Sequence, residues 1–497
     1  MTNAVNVPHR PSLILALIPV LVLIGLLGIN VLFYGDGATG GPNQIALVLA
    51  AAVAATIGGF LRVPFRESLQ GIATSLSSAI GAILILLLIG SLAGTWMLSG
   101  VVPVMVYYGL EVIDARFFLF ASVIVCSIVS VATGSSWTTI ATVGVALVGI
   151  GQALGVHVGM SMGAIISGAY FGDKISPLSD TTNLAPAMAG AELFTHIRYM
   201  LWTTVPSILI TLGIFLAIGL STDVAAGSQG AESLSQAIDE KYNLSPLLFL
   251  VPLAVVGMVI CKVDALVALF VGTILGAVFA VIFQPAIIAE VAGQEGGYLK
   301  QSYVAIVNSM SSGFDIKSDN AAAADLMSAG GMVGMLNTVW LVMCAMCFGG
   351  VMEACGLLKR ITDPLVGLAK STGSLVGTTV GACLFTNFTA SDQYLAIVVP
   401  GRMFRETYRE RGLAPENLSR TLEDSGTVTS VLVPWNTCCA YHTGVLGGAI
   451  GASAINPLIF IPYCLFNIIS PLMTILIAFA GFKIAKLEPE SEAVSNE

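Results

Sequence analysis

The densest run of oxygen-bearing side chains in this 497-residue chain is Gly168-Ala-Tyr-Phe-Gly-Asp-Lys-Ile-Ser-Pro-Leu-Ser-Asp-Thr-Thr-Asn-Leu-Ala-Pro186. Pro177 has no backbone donor and disfavours helix at Ser176. Carbonyls beside such a break lose their helical partners. They become cation ligands, together with the oxygens of Ser176, Ser179, Asp180, Thr181, Thr182 and Asn183. Such a donor set suits a hard cation, with Na⁺ expected by analogy with hard divalent ions. Asp173 and Asp180 add two carboxylates. A carboxylate at the bilayer centre costs about 2.5–3.5 kcal/mol on an insertion scale, so packing alone does not explain this stretch. Ser-x-x-Asp and Asp-x-x-Asn patterns also start helices, and a capped surface loop over 172–183 is the competing reading. Two roles are open to Lys174: pairing with Asp173, or reaching out to the membrane interface.

A second polar run, Phe385-Thr-Asn-Phe-Thr-Ala-Ser-Asp-Gln-Tyr394, lies between the short apolar runs 374–385 and 394–400. It reads as the tip of a re-entrant hairpin. Asp392 is its acid, and Asn387, Thr389 and Ser391 add oxygens. Glu353, near the end of its apolar run, is a candidate proton relay, with an interfacial acid as the plainer reading. His442 follows Pro434 and is a candidate pH sensor, with a satisfied interior histidine as the alternative. Glu423 and Asp424 fit a helix N-terminus, and the Arg-rich 401–420 segment fits a solvated cytoplasmic loop.

Several kinds of chemistry find no support. The chain contains no Gly-x-x-x-x-Gly-Lys-Ser/Thr, so transport would run on ion gradients and not on a built-in ATPase. No nucleophile–base pair or His/Glu metal spacing suggests an enzyme, and no resident cofactor is called for. Net charge is −9, so the basic footprint of a nucleic-acid binder is missing. The nine cysteines sit almost entirely in apolar stretches, including Cys344-x-x-Cys347, and read as buried hydrophobes.

The elements that must hold these groups are set by composition. The chain is 56% hydrophobic and 10% charged, with mean hydropathy +0.90. A soluble domain carries about 25% charged residues. The fold class expected is therefore an all-α polytopic membrane protein with about 11–14 crossing or re-entrant elements. Clear apolar spans are 12–34, 43–60, 71–99, 197–220, 245–261, 264–283, 334–357 and 455–481. The first span reads as a retained helix and not as a signal peptide. Segments 221–244 and 284–332 read as soluble loops, and the tail from Leu487 as disordered. Basic residues stay cytoplasmic. Arg62, Arg66, Lys359, Arg360, the arginines of 401–420, Lys483 and Lys486 then place both termini in the cytoplasm.

The two polar runs belong to a faint internal repeat. At an offset of 256, Thr133-Gly-Ser-Ser-Trp-Thr-Thr139 lies over Thr389-Ala-Ser-Asp-Gln-Tyr-Leu395. At 257, Ile175-Ser-Pro-Leu-Ser-Asp-Thr181 lies over Leu432-Val-Pro-Trp-Asn-Thr-Cys438. The mate of the Asp392 run thus has Ser135 and Ser136 but no acid, with Ser136 over Asp392, while Asn436 and Thr437 answer Ser179 and Asp180. The half-sites are chemically unequal. Basic residues flank corresponding elements on opposite sides, which is the mark of an inverted-topology repeat. The expected division is 1–66, a first repeat 67–220, connecting helices and loops 221–332, a second repeat 333–482 and a tail 483–497.

Ser167-Gly-Ala-Tyr-Phe-Gly-Asp-Lys-Ile-Ser-Pro-Leu-Ser-Asp-Thr-Thr-Asn-Leu-Ala-Pro186 closely resembles the signature of the NhaC family of Na⁺/H⁺ antiporters. Thr133-Gly-Ser-Ser-Trp137 and Thr386-Asn-Phe-Thr-Ala-Ser-Asp-Gln-Tyr394 are similar to that family as well. The resemblance implies a member of the wider ion-transporter superfamily. Hairpin tips are then expected at 133–139 and 386–394, and helix breaks at 172–183 and 432–443, on a mobile transport domain. It further implies exchange of Na⁺, or Li⁺, for H⁺ across the bacterial inner membrane, in contact with membrane lipid and as a homodimer by analogy. The family also includes malate/lactate-type exchangers of Na⁺ with small carboxylates, and a Na⁺-coupled small-carboxylate or amino-acid exchanger is the alternative expectation. No Arg in either break is placed to clamp a carboxylate, which favours an inorganic cation.

Overall fold

An apolar run of about 20 residues can cross lipid only by closing its own backbone hydrogen bonds, and a helix does so. The computed structural model describes residues 11–221, 225–293, 296–317, 324, 327–367, 371–451 and 455–487. Residues 1–10 and the tail beyond Leu487 lie outside the described residues. Seven described helices are long and apolar enough to span a membrane: Leu13–Tyr34, Pro42–Phe60, Phe65–Leu98, Ser136–Ala153, Leu193–Ser221, Ala265–Phe283 and Leu336–Ala354. Two bent pairs add to them. Glu232–Lys241 meets Pro246–Ile260 at 97°, and Pro457–Tyr463 meets Leu465–Phe479 at 50°. The 455–481 run is therefore kinked, with the break at Cys464. Val101–Val112 and Phe118–Thr133 are shorter apolar helices. The described residues form no β-strand, only two isolated bridges.

Element boundaries recur at a constant spacing. Ser136–Ala153 ends, and Val158–Ile175 and Asp180–Ala189 begin, 257 residues before Gln393–Glu410 ends and Pro415–Leu422 and Thr437–Ala449 begin. The hairpin tips follow the same spacing. Gly134 and Ser391 both adopt the left-handed conformation, at φ 69° and 60°. Ser135 and Asp392 then cap the next helix in the same way, accepting from the backbone N–H of Thr138 and Leu395. This corrects the 256 register expected at the tips: Asp392 answers Ser135, and Gln393 answers Ser136. Apparent Ser-over-Ser identity misled the sequence alignment, whereas cap geometry sets the true one.

Two expected loops are helical. Ala225–Lys241 buries Leu234 and Ile238, one turn apart, and Tyr242 follows on the same face. Pro285–Ala292 and Tyr298–Ser311 fill much of 284–332. Polar composition concealed these helices because each buries only a narrow stripe.

The long helices pack through glycines. Gly71 on Phe65–Leu98 lies so close to Leu336–Ala354 that an added Cβ would meet the Gly350 carbonyl oxygen at 2.4 Å, and a Cβ on Gly350 would meet that of Gly71 at 2.6 Å. Gly349 abuts Ala390 in the same manner, seating this helix against the second hairpin tip. Overfilling a tight contact costs about 1–3 kcal/mol or more. Gly71→Val should therefore lower the thermal unfolding midpoint of the detergent-purified protein clearly. Gly81→Ala, on the same helix with nothing within 4 Å of its added carbon, should leave it unchanged or slightly raised.

Candidate functional site

Both hairpin tips and both helix breaks converge. The first break runs from Ser176, which ends Val158–Ile175, to Ser179, which caps Asp180–Ala189. The second runs through Val433 to Asn436, which caps Thr437–Ala449. Each tip is fastened to the break of its own half. In the first half, Ser136 donates to Asp173 from its backbone N–H (3.1 Å) and its hydroxyl (2.7 Å). In the second, the Thr437 N–H donates to the Ser391 carbonyl at 3.0 Å. The halves are also joined to each other. Trp137 stacks on Tyr441 with ring centroids 4.0 Å apart, and the Tyr441 hydroxyl donates to the Trp137 carbonyl.

A cavity of about 660 Å³ lies at this junction. Asp173, Asp180 and Asp392 line it, with Ser135, Ser179, Thr181 and Thr437. Tyr394 also lines the cavity. Asp173 and Asp392 are buried, and Asp180 is exposed to the opening. Asp180 and Asp392 sit at helix N-termini, where the macrodipole favours negative charge. The carbonyl ends of Phe118–Thr133 and Val158–Ile175 terminate at the same place.

Other predicted oxygens are spent on holding the break. Ser176 donates to the Val131 carbonyl at 2.8 Å, and Thr182 to the Lys174 carbonyl at 2.9 Å. Asn183 bonds the carbonyls of Pro177 and Ser179. Asn387 donates to the Gly426 carbonyl and to Thr429, and Asn436 donates to Asn387. Thr389 bonds its own helix, and the buried Ser391 hydroxyl has no partner. None of these side chains lines the cavity. Glu353 lies at the exposed end of Leu336–Ala354, outside the lining. His442 is buried, with Nε2 3.1 Å from the Tyr170 hydroxyl and Nδ1 unpartnered.

Sequence reasoning missed several groups. Lys262 and Asp264, from the turn before Ala265–Phe283, join the lining with Ser78, Gln393 and Tyr394. Lys174 neither pairs with Asp173 nor reaches an interface. It is fully buried, forms an ion pair with Asp424, and donates to Ser470 at 2.9 Å. Glu423 and Asp424 do not start a helix. They sit in a buried π-turn, Glu423–Thr427, continuing Pro415–Leu422. The 401–420 segment is not a solvated loop: Arg402, Arg405 and Arg409 lie on Gln393–Glu410, and Arg420 is fully buried, 4.5 Å over the Tyr199 ring. These partners lie 250 residues or so apart in sequence, so no local pattern announces them. Among the described residues no cluster of three His, Cys, Asp or Glu could hold a resident metal.

Broken, polar helices gathered around a cavity inside an apolar helical bundle define a polytopic membrane transporter. The model of the Na⁺/H⁺ antiporter family matches residues 168–482. The chain is 37% identical to the Na⁺/H⁺ antiporter NhaC of Alkalihalophilus pseudofirmus over 89% of its length and 91% of the relative's. It is 34% identical to NhaC of Bacillus subtilis, with 88% and 91% covered. It is 33% identical to the malate-2H⁺/Na⁺-lactate antiporter of Bacillus subtilis, with 82% and 84% covered. The chain belongs to the NhaC-type Na⁺/H⁺ antiporter family.

Removing one member of a buried ion pair typically costs about 3–5 kcal/mol, because the remaining charge is left uncompensated. Lys174→Met should therefore destabilise the protein strongly in detergent unfolding. Lys174→Met with Asp424→Leu should recover most of that loss.

Proposed function

We propose that the protein is a secondary antiporter that exchanges Na⁺, and Li⁺ by the same chemistry, for H⁺ across a bacterial inner membrane. The observation that carries this reading is the meeting of Asp173, Asp180 and Asp392, from both halves of the chain, on one cavity. Carboxylates that share a small site repel one another when all are ionised. A cation relieves that repulsion by binding, and a proton relieves it by neutralising one acid. The two ligands therefore exclude each other, which is the requirement for antiport. Asp180 and Asp392 are assigned the competing roles, with Asp173 in support. Ser135, Ser179, Thr181 and Thr437 add neutral oxygens, and Glu353 and His442 remain outside the direct site. No resident cofactor enters this cycle.

The repeats 67–220 and 333–482 would run in opposite directions through the membrane. Their hairpins and broken helices would form the moving unit, against a frame of the remaining long helices, with both termini cytoplasmic. A homodimer in lipid fits this arrangement.

A second reading has its own support. Lys262 lines the cavity, and the helix N-termini at Ser135, Ser179 and Asp392 point to the same region. A lysine and helix N-termini can hold a small carboxylate beside a cation. The 660 Å³ space exceeds what a bare ion needs.

Purified protein in liposomes, with internal pH as readout, separates these readings. Na⁺-driven H⁺ flux is expected from the wild type and should vanish in Asp180→Asn and Asp392→Asn, with elution on size exclusion unchanged. Wild-type flux in both variants would remove these acids from the mechanism. Counterflow of labelled malate or lactate, lost in Lys262→Gln, would instead establish the carboxylate exchanger.

A further inference from the structure

Of the two buried carboxyl groups that the exchange cycle described above does not use, Asp424 is paired with Lys174 and Glu423 is not. Glu423 occupies the first position of the π-turn Glu423–Thr427 and is fully buried. A π-turn inserts an extra residue into the helical ladder and so redirects a side chain. Here it brings Oε1 within 3.1 Å of the Thr181 hydroxyl, which donates to it. Oε2 has no hydrogen-bond partner. The Thr181 hydroxyl lies 3.2 Å from that of Ser179, and both residues line the cavity. One hydroxyl thus separates Glu423 from the space where the cation is expected.

The charged neighbours leave Glu423 without a counterion. Lys174, on Val158–Ile175, is committed to Asp424 and Ser470. Arg420, one turn earlier, stacks on Tyr199. Helices Thr372–Ala390 and Leu465–Phe479 carry no charged side chain, and Asp180–Ala189 carries only Asp180. Gln393–Glu410 packs on the turn through Ala396 and Ile397 against Gly426, while its charges lie beyond Gly401. Asp173 and Lys174, neighbours on Val158–Ile175, act on Glu423 with opposite signs, and Asp424 adjoins it in the chain. A buried, half-unpartnered carboxylate is relieved by a cation or a proton; Lys174 acts on Glu423 only from its pairing with Asp424, and no cation lies in ion-pair contact with Glu423 among the described residues.

We propose that Glu423 is a proton-holding group of the transport cycle, loaded from the cavity through the Thr181 hydroxyl. The inference rests on the Na⁺/H⁺ reading and deepens it. In the loading step a cavity hydronium gives a proton to Thr181 Oγ1, while Thr181 passes its own hydroxyl proton to Glu423 Oε1. One O–H bond breaks and one forms at Thr181, one forms at Glu423, and the hydronium leaves as water. Na⁺ entering beside Asp173 and Asp180 brings positive charge next to Thr181 and drives the reverse transfer. Proton release and cation binding are thereby linked across a single hydroxyl.

The test uses the full-length protein in liposomes, reading ²²Na⁺ counterflow and Na⁺-driven H⁺ flux across a pH series. Glu423→Gln keeps the acceptor oxygen and removes the proton site. It is expected to lose H⁺ flux by on the order of 100-fold with a much smaller loss of counterflow, and Glu423→Asp should restore part of the H⁺ flux. Thr181→Val, which keeps the shape and removes the relay, should slow H⁺ flux and flatten its pH dependence. Should Glu423→Gln fail to fold, the Thr181→Val and Glu423→Asp profiles decide the matter. Coupled flux with a wild-type pH profile in Glu423→Gln, or in Thr181→Val, would overturn the proposal while leaving Na⁺/H⁺ exchange intact. A wild type without Na⁺-driven H⁺ flux would overturn the exchange reading itself.

Discussion

Lipid offers no partner to a free backbone carbonyl or to a carboxylate, and that deficit organises the molecule. Every break in a helix must be answered from another element or from water in a cavity. Here each half of the chain makes one hairpin and one broken helix, and each tip answers the break of its own half. Asp173 takes both donors of Ser136, and Ser391 gives its carbonyl to Thr437. Asp173, Asp180 and Asp392 remain facing the cavity. The cavity is therefore bounded by groups that the packing of the tips and breaks leaves over.

The same constraint explains the division of labour among the polar residues. Ser176, Thr182, Asn183, Asn387 and Asn436 look like ligands in the sequence, yet their oxygens and amides fasten backbone. They fix where the helix ends point. Ser391 shows what this demands locally: it holds a left-handed conformation that a non-glycine residue adopts at some cost. Gly134 occupies the equivalent place, and an added carbon there would meet Leu178 at 2.5 Å. One tip is kept by glycine, the other by the packing of Gly349 against Ala390.

Much of this was legible from one sequence because membranes simplify the code. Apolar length marks the spans, and a proline or glycine with clustered hydroxyls marks each break. Asp173, Asp180 and Asp392 stand out for that reason, and all three line one cavity. The register of the tips was off by one, since a cap is defined by backbone conformation and here tolerates serine or aspartate alike. The helices within 221–244 and 284–332 were hidden by polar surfaces. Lys174, Asp424 and Glu423 were misread because each is explained by a residue more than 240 positions away. Lys262 and Asp264 reach the cavity from a turn whose local sequence has no unusual feature.

The repeat is geometrically close but chemically unequal. At the spacing of 257 residues, Asp180 faces Thr437, Asp392 faces Ser135, Lys174 faces Val431, and Glu423 and Asp424 face Ile166 and Ser167. Two identical half-sites would bind two identical ligands with no reason to alternate between ions. Instead the charged groups are divided, with Asp173, Asp180 and Lys174 on one half and Asp392, Glu423 and Asp424 on the other. The Lys174–Asp424 pair and the Thr181–Glu423 bond then cross between halves. A charge that arrives on one half is felt by an acid on the other, at close range and away from bulk water, where screening is weak. Symmetry supplies the two matched sets of broken helices, and its violation supplies the charged contacts that cross between them.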